Sequence, residues 1–156
     1  LYAMNGDGKE GLLLYAAAYC LATIGLFAVL ARMNDYTFDG FNGLAQSQPV
    51  VAASVTVFLL SLAGIPLTAG FMAKFYMLKA ALGTPGSLWL VIFAVLMAAV
   101  SVYYYFRVIQ AMYFKAPGET AQPEFPSFFK GVLLVLVMLV ILLGIYPDLL
   151  LGRLYF

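Results

Sequence analysis

No histidine occurs anywhere in these 156 residues, and there is a single cysteine, Cys20. Metal, haem and iron–sulfur centres need clustered His, Cys or carboxylate ligands, so none can be assembled here, and neither a disulfide nor a CxxC redox pair exists. Cys20 is read as a small packing residue. Charge is scarce too: 8 Lys and Arg against 7 Asp and Glu leave a net charge of +1, which argues against an extended basic surface for nucleic acid. The seven acids, Asp7, Glu10, Asp35, Asp39, Glu119, Glu124 and Asp148, all fall in loops or near the ends of apolar runs. No glycine-rich phosphate loop of either familiar spacing is present, which removes ATP-driven and dinucleotide-binding roles.

What fills the chain instead is apolar sequence: 65% of residues are hydrophobic and 10% charged, with a mean hydropathy of +1.00. That composition belongs to integral membrane proteins. About 20 apolar residues cross a hydrocarbon core of about 30 Å, which predicts an all-α polytopic fold of four spans at about 11–32, 49–82, 87–114 and 129–151 within a single membrane domain, 1–156. The second is too long for one straight crossing, since its residues would reach about 51 Å as a continuous helix. Gly64, Pro66 and Gly70 place a break inside it, giving a discontinuous span of two half-helices. The connections 34–40, 83–87 and 115–128 carry the Gly, Pro, Asn and Asp of loops and turns. Leu1 is not an initiator methionine and no basic leader precedes the first span, so the expectation is a piece of a longer polypeptide. Arg32, Arg107, Lys115 and Lys130 lie towards the loops 33–48 and 115–128, against Lys9, Lys79 and Arg153 on the other side; that excess puts the two loops in the cytoplasm and both ends outside.

The eighth cation, Lys74, lies within the apolar second span. A lysine near the bilayer centre costs about 2.5–3.5 kcal/mol on insertion scales, so it is by default a site of ion or proton movement. Desolvation disfavours its ammonium, and a half-helix starting near Gly70 or Phe71 would put Lys74 in the first turn, where the positive dipole end disfavours it further. Freed carbonyls around Gly64 to Leu67, with the Ser61 and Thr68 hydroxyls, would offer hydrogen bonds to approaching water. Lys74 is therefore the candidate proton relay, and Ser61, Gly64, Pro66, Thr68 and Gly70 support the broken helix around it. Arg107 is a candidate second polar site, either snorkelling or bonding carbonyls of the break, and Lys79 snorkels to the interface. Tyr103, Tyr104, Tyr105 and Phe106 read as an aromatic belt. Ser101 and Gln110 stand roughly 180° apart on their helix and read as separate interhelical hydrogen bonds. Tyr15, Tyr19 and Thr23 share one face that should turn into the bundle, with Ala16, Ala17, Ala18, Ala22 and Gly25 allowing close helix approach.

Gly43-Leu44, Pro49, the run from Leu60 to Phe71, Lys74-Phe75-Tyr76 and Tyr103-Tyr104-Tyr105-Phe106-Arg107 together resemble the antiporter-like membrane subunits of respiratory complex I, most closely the N-subunit family of bacterial NADH:quinone oxidoreductases. The resemblance covers the whole chain, the four spans matching the last four, eleven to fourteen, of that family's fourteen. It implies a proton-translocating subunit whose twelfth helix is broken and carries a buried protonatable lysine, matched here by Lys74. It also implies that this chain binds no cofactor, that NADH, flavin, iron–sulfur clusters and quinone reside in partner subunits, and that its partners are other membrane subunits of the complex and the lipid bilayer, not nucleic acid. The implied location is the bacterial inner membrane. The family's upstream glutamate and two lysines lie outside this sequence. Two other readings stand beside this one: a subunit of a multisubunit cation/proton antiporter or membrane-bound hydrogenase, and a non-transporting structural module. In the last case, Lys74→Leu should stabilise the bundle.

Overall fold

The computed structural model describes residues 6–117 and 123–152. Glu119 and Arg153, which enter the charge arguments above, lie outside the described residues. Among the described residues the regular elements are all helical: α1 (Gly6–Leu30), a 3-10 turn (Phe38–Phe41), α2 (Leu44–Ser47), α3 (Pro49–Ala63), α4 (Ala69–Leu82), α5 (Leu88–Phe114), α6 (Ser127–Ile145) and α7 (Asp148–Leu151). The fold class is all-α. Three stretches, Lys9–Leu30, Leu88–Phe114 and Ser127–Ile145, are long and apolar enough to cross a membrane, and Pro49–Ala63 is a shorter apolar helix.

The two helix ends that matter most follow from local chemistry. Gly64 closes α3 in the left-handed region at φ 86°, ψ 43°, a conformation glycine adopts without a Cβ penalty. Its N–H donates to the carbonyls of Leu60 and Ser61, and the Ile65 N–H reaches back to Leu60, each at 3.0 Å. This is a Schellman stop, followed by a proline that cannot continue the helix. After residues 64–68 the chain re-enters helix with Thr68 as an extended N-cap at φ −113°, ψ 153°. Leu67, at φ 73°, is the non-glycine residue with positive φ among the described residues, a conformation that costs about 1–2 kcal/mol.

α1 packs along α4 more extensively than any other pair of elements and continues onto α3, while α6 touches α1, α3 and α4. One buried stripe of α1 carries both contacts. Leu14 and Ala18 join Ala69 and Ala73 of α4 in one apolar cluster, and Ala22 and Val29 join Val51, Val55 and Phe58 of α3 in another. Small residues at 18, 22 and 25 let the backbones approach, and the Phe58 ring lies against Gly25. On α6, Leu133 and Val140 belong to the α3 cluster and Leu143 to the α4 cluster, with Gly144 bringing the α6 backbone against the Leu67 carbonyl and Thr68. α5 lies outside this group, packed on α3, α4 and the turns that precede α3. Its first half exposes Trp89, Ile92, Phe93 and Leu96, a face suited to lipid or to other membrane helices.

Several expectations need correcting here. The inward face of α1 is the Leu14–Ala18–Ala22–Val29 stripe, not Tyr15–Tyr19–Thr23: Tyr15 and Tyr19 remain 36% and 51% exposed, and the Thr23 hydroxyl donates to the Tyr19 carbonyl of its own helix at 2.6 Å. Heptad spacing through the small residues outweighs the polar spacing. Ala16 is exposed, and so is Cys20, which is therefore not a packing residue within this chain. The Ser101 hydroxyl donates to Met97 on its own helix at 3.1 Å rather than across to a neighbour, and Gln110 is exposed.

The connection 31–48 closes one end of the bundle. Asp35 Oδ1 accepts the Thr37 N–H at 2.8 Å, which holds its carboxyl below the usual carboxylate range. The Gly43 N–H donates to the Ala111 carbonyl at 3.2 Å, tying the segment to α5. At the opposite end the buried Ser87 hydroxyl donates to the carbonyls of Ala81 and Thr84, closing the α4–α5 turn.

Candidate functional site

Where α3 ends and α4 begins, each helix lends the other a side chain. An isolated helix leaves its first four N–H groups and its last four carbonyls without partners. The Gly70 N–H, in the first turn of α4, donates to the Ser61 hydroxyl of α3 at 3.2 Å, a cap of the kind worth about 1 kcal/mol. At the other terminus, the Schellman stop uses the Leu60 and Ser61 carbonyls and leaves those of Leu62 and Ala63. Lys74 takes both, its Nζ donating to Leu62 at 2.8 Å and to Ala63 at 2.9 Å. The exchange requires close approach. A Cβ on Gly70 would collide with the Ser61 carbonyl, and one on Gly64 would lie 2.9 Å from Lys74 Cδ.

This geometry corrects the electrostatic expectation. α4 starts at Ala69, so Lys74 occupies its second turn rather than its first, and its ammonium reaches back to the carbonyl end of α3. A cation at a helix C-terminus gains about 0.3–1 kcal/mol, and up to about 2 kcal/mol in partly buried geometry. The dipole that acts on Lys74 most directly thus favours its charge, while burial opposes it. The freed carbonyls are also one step earlier than Gly64 to Leu67, because the Ile65 carbonyl accepts the Thr68 hydroxyl at 2.7 Å inside the break. Thr68 is accordingly an internal brace, and Pro66 is exposed. Lys74 is half-buried within this chain, not deeply enclosed.

Beside Lys74 lies a partly open cavity of about 140 Å³ whose polar lining comes from Tyr15, Tyr19, Ser61, Lys74, Ser101 and Tyr105. It has room for several water molecules and the polar partners to hold them. None of its lining residues is acidic, so the ammonium has hydroxyls and carbonyls for company. Tyr15 and Tyr19 stack at 5.8 Å between ring centroids, one wall of the cavity. The sequence reads Tyr105 as part of an aromatic belt, whereas its spacing of four from Ser101, which puts both on one helix face, is the signal for its place here. Arg107 is not part of this site. Its guanidinium lies 4.7 Å from the centroid of the Phe38 ring, a cation–π contact towards the 3-10 turn that removes it from the carbonyls of the break. Among the described residues no group of three or more His, Cys, Asp and Glu could hold a metal ion.

Comparison with known proteins agrees with this architecture. The family described as NADH:quinone oxidoreductase/Mrp antiporter, TM, matches residues 1–116. NADH-quinone oxidoreductase subunit N 2 of Acidobacterium capsulatum is 43% identical over 96% of this chain and 32% of its own length. The protein of the same name from Herpetosiphon aurantiacus is 42% identical over 97% of this chain and 29% of its own. The chain thus spans about a third of the length of the curated relatives it matches. Among solved structures, a chain of respiratory complex I from Thermus thermophilus with bound aureothin superposes with a TM-score of 0.83 at 30% identity, covering 97% of this chain and 35% of that one. A chain of the membrane-bound sulfane sulfur reductase, an archaeal respiratory membrane complex, gives 0.71 at 28% identity over 90% of this chain and 29% of that one. With three helices apolar and long enough to cross a bilayer and a family match over residues 1–116, this is a multi-pass membrane protein and belongs to the NADH:quinone oxidoreductase/Mrp antiporter transmembrane family.

Proposed function

We propose that this chain is the C-terminal part of an antiporter-like, proton-translocating subunit of a bacterial NADH:quinone oxidoreductase in the inner membrane, and that Lys74 is a proton-relay residue within it. Redox cofactors (NADH, flavin, iron–sulfur clusters and quinone) belong to partner subunits, and coupling arrives at Lys74 as a change in local electrostatics or hydration that biases its two protonation states. In this reading α3 and α4 form one discontinuous crossing: α1 and α6 each pack against both, so the pair together occupies the length of a single long helix. The observation that carries the proposal is the Lys74 ammonium seated on the Leu62 and Ala63 carbonyls at the rim of a polar cavity. A charge and a polar cavity with room for water meet there inside apolar sequence, at a helix interruption, which is the arrangement membrane transporters use for ion sites.

Lys74→Ala in the complete complex, reconstituted in vesicles, should lower the number of protons moved per electron while quinone-linked NADH oxidation continues. Normal pumping by a normally assembled Lys74→Ala complex would remove the proposal. The antiporter half of the family description favours a second reading, a cation/proton antiporter subunit. Pumping that depends on sodium would select it.

A further inference from the structure

We propose that Tyr105 is a gate between the Lys74 cavity and the end of the bundle closed by residues 36–38. The proposal deepens the relay reading of Lys74 and rests on it for its function. Two cavities share this residue in their linings. One is the polar cavity of about 140 Å³ beside Lys74. The other is a cleft of about 490 Å³ whose lining includes Tyr36, Thr37 and Phe38, exposed residues at the end of the bundle where α1 leaves and α3 enters. Tyr105 belongs to both linings.

Three helices give the same order along the bundle. On α1, Tyr15 and Tyr19 line the cavity, and Leu26 and Leu30, nearer the 36–38 end, line the cleft. On α3, which runs the other way, Ser61 and Leu62 line the cavity and the earlier Leu59 lines the cleft. On α5, Ser101 lines the cavity and Val108 the cleft, with Tyr105 between them. Passage from the cleft to Lys74 therefore meets the Tyr105 side chain. The cleft beyond it is walled mainly by Leu, Phe and Val side chains, so the narrow point of the proposed path is Tyr105 itself, and an apolar narrow point next to a polar chamber controls water by wetting and drying. Rotation of one aromatic side chain, a change open to part-exposed residues without any helix movement, would join the two spaces and admit water to Lys74.

The gate is tested by accessibility. In the complete complex carrying Cys20→Ala, Ser101→Cys places a thiol on the cavity wall, and a membrane-impermeant cationic methanethiosulfonate modifies it only where water reaches and ionises it. Thr37→Cys, modified in the same way, identifies the membrane face on which the cleft opens. Tyr105→Ala should raise the modification rate of Ser101→Cys from that face by about an order of magnitude, and Tyr105→Phe, which keeps the ring, should leave it within about twofold. If Tyr105→Ala fails to assemble, Tyr105→Leu is read in its place, with the same expectation. An unchanged rate in the shortened variant, or a rise seen equally from the opposite face, overturns the gate. Because thiol modification does not depend on pumping, a failed gate and a failed relay at Lys74 give separate results.

Discussion

Gly70→Ala is expected to be among the most damaging single-methyl additions in this chain. The new Cβ would fall on the Ser61 carbonyl, backbone that cannot rotate away, so α3 and α4 must separate. Overpacking of this kind costs about 1–3 kcal/mol, and the separation also withdraws the Gly70 N–H from Ser61 and the Lys74 ammonium from Leu62 and Ala63. The expected result is lower thermal stability of the assembled complex together with impaired pumping. Gly131→Ala is the matched control: on α6, nothing lies within 4 Å of its added Cβ, and glycine in a helix interior is about 1 kcal/mol worse than alanine, so stability should hold or rise slightly. Heat inactivation of the two complexes side by side distinguishes them. Equal behaviour would mean that the close approach of α3 and α4 contributes nothing.

Lys74→Leu carries the second large effect, and its sign is opposite to the one composition alone suggests. An unpartnered lysine in apolar surroundings should be destabilising, and leucine should relieve the cost. Here the lysine has partners. Removing it leaves the Leu62 and Ala63 carbonyls without donors at the end of α3, and an orphaned buried acceptor costs about 1–3 kcal/mol; the polar cavity that Lys74 lines places the outcome at the lower end, since water can replace part of the loss. Lys74→Leu should therefore reduce the melting temperature of the complex, measured by loss of quinone-linked NADH oxidation on heating. An increase would restore the view of Lys74 as a tolerated, energetically unfavourable residue.

The stop at Gly64 was legible because it is local: a glycine free to adopt positive φ, then a proline two residues later, ends a helix whatever surrounds it. Lys74 stood out for the same reason, one cation in a long apolar run. The partners of Lys74 were not legible. They are backbone carbonyls twelve and eleven residues earlier, selected by the pairing within the Schellman turn and by the approach of two helices, neither of which has a residue pattern of its own. The α1 face was misread because Tyr15, Tyr19 and Thr23 repeat at helical spacing just as Leu14, Ala18 and Ala22 do; only the packing against α3 and α4 decides between stripes one residue apart. Tyr105 was lost among four consecutive aromatics, three of which, Tyr103, Tyr104 and Phe106, are indeed exposed.

Because Lys74 caps a helix as well as carrying a candidate proton, its removal cannot by itself separate the two roles; arginine can. A guanidinium at this position has donors for both carbonyls but does not release its proton in the physiological range. The decisive measurement is the number of protons pumped per electron by the complete Lys74→Arg complex in sealed vesicles, with assembly and NADH oxidation measured alongside. A proton relay at Lys74 predicts normal assembly, continued oxidation and a reduced ratio. A wild-type ratio in that complex would contradict it and leave Lys74 as the cap that joins α3 to α4.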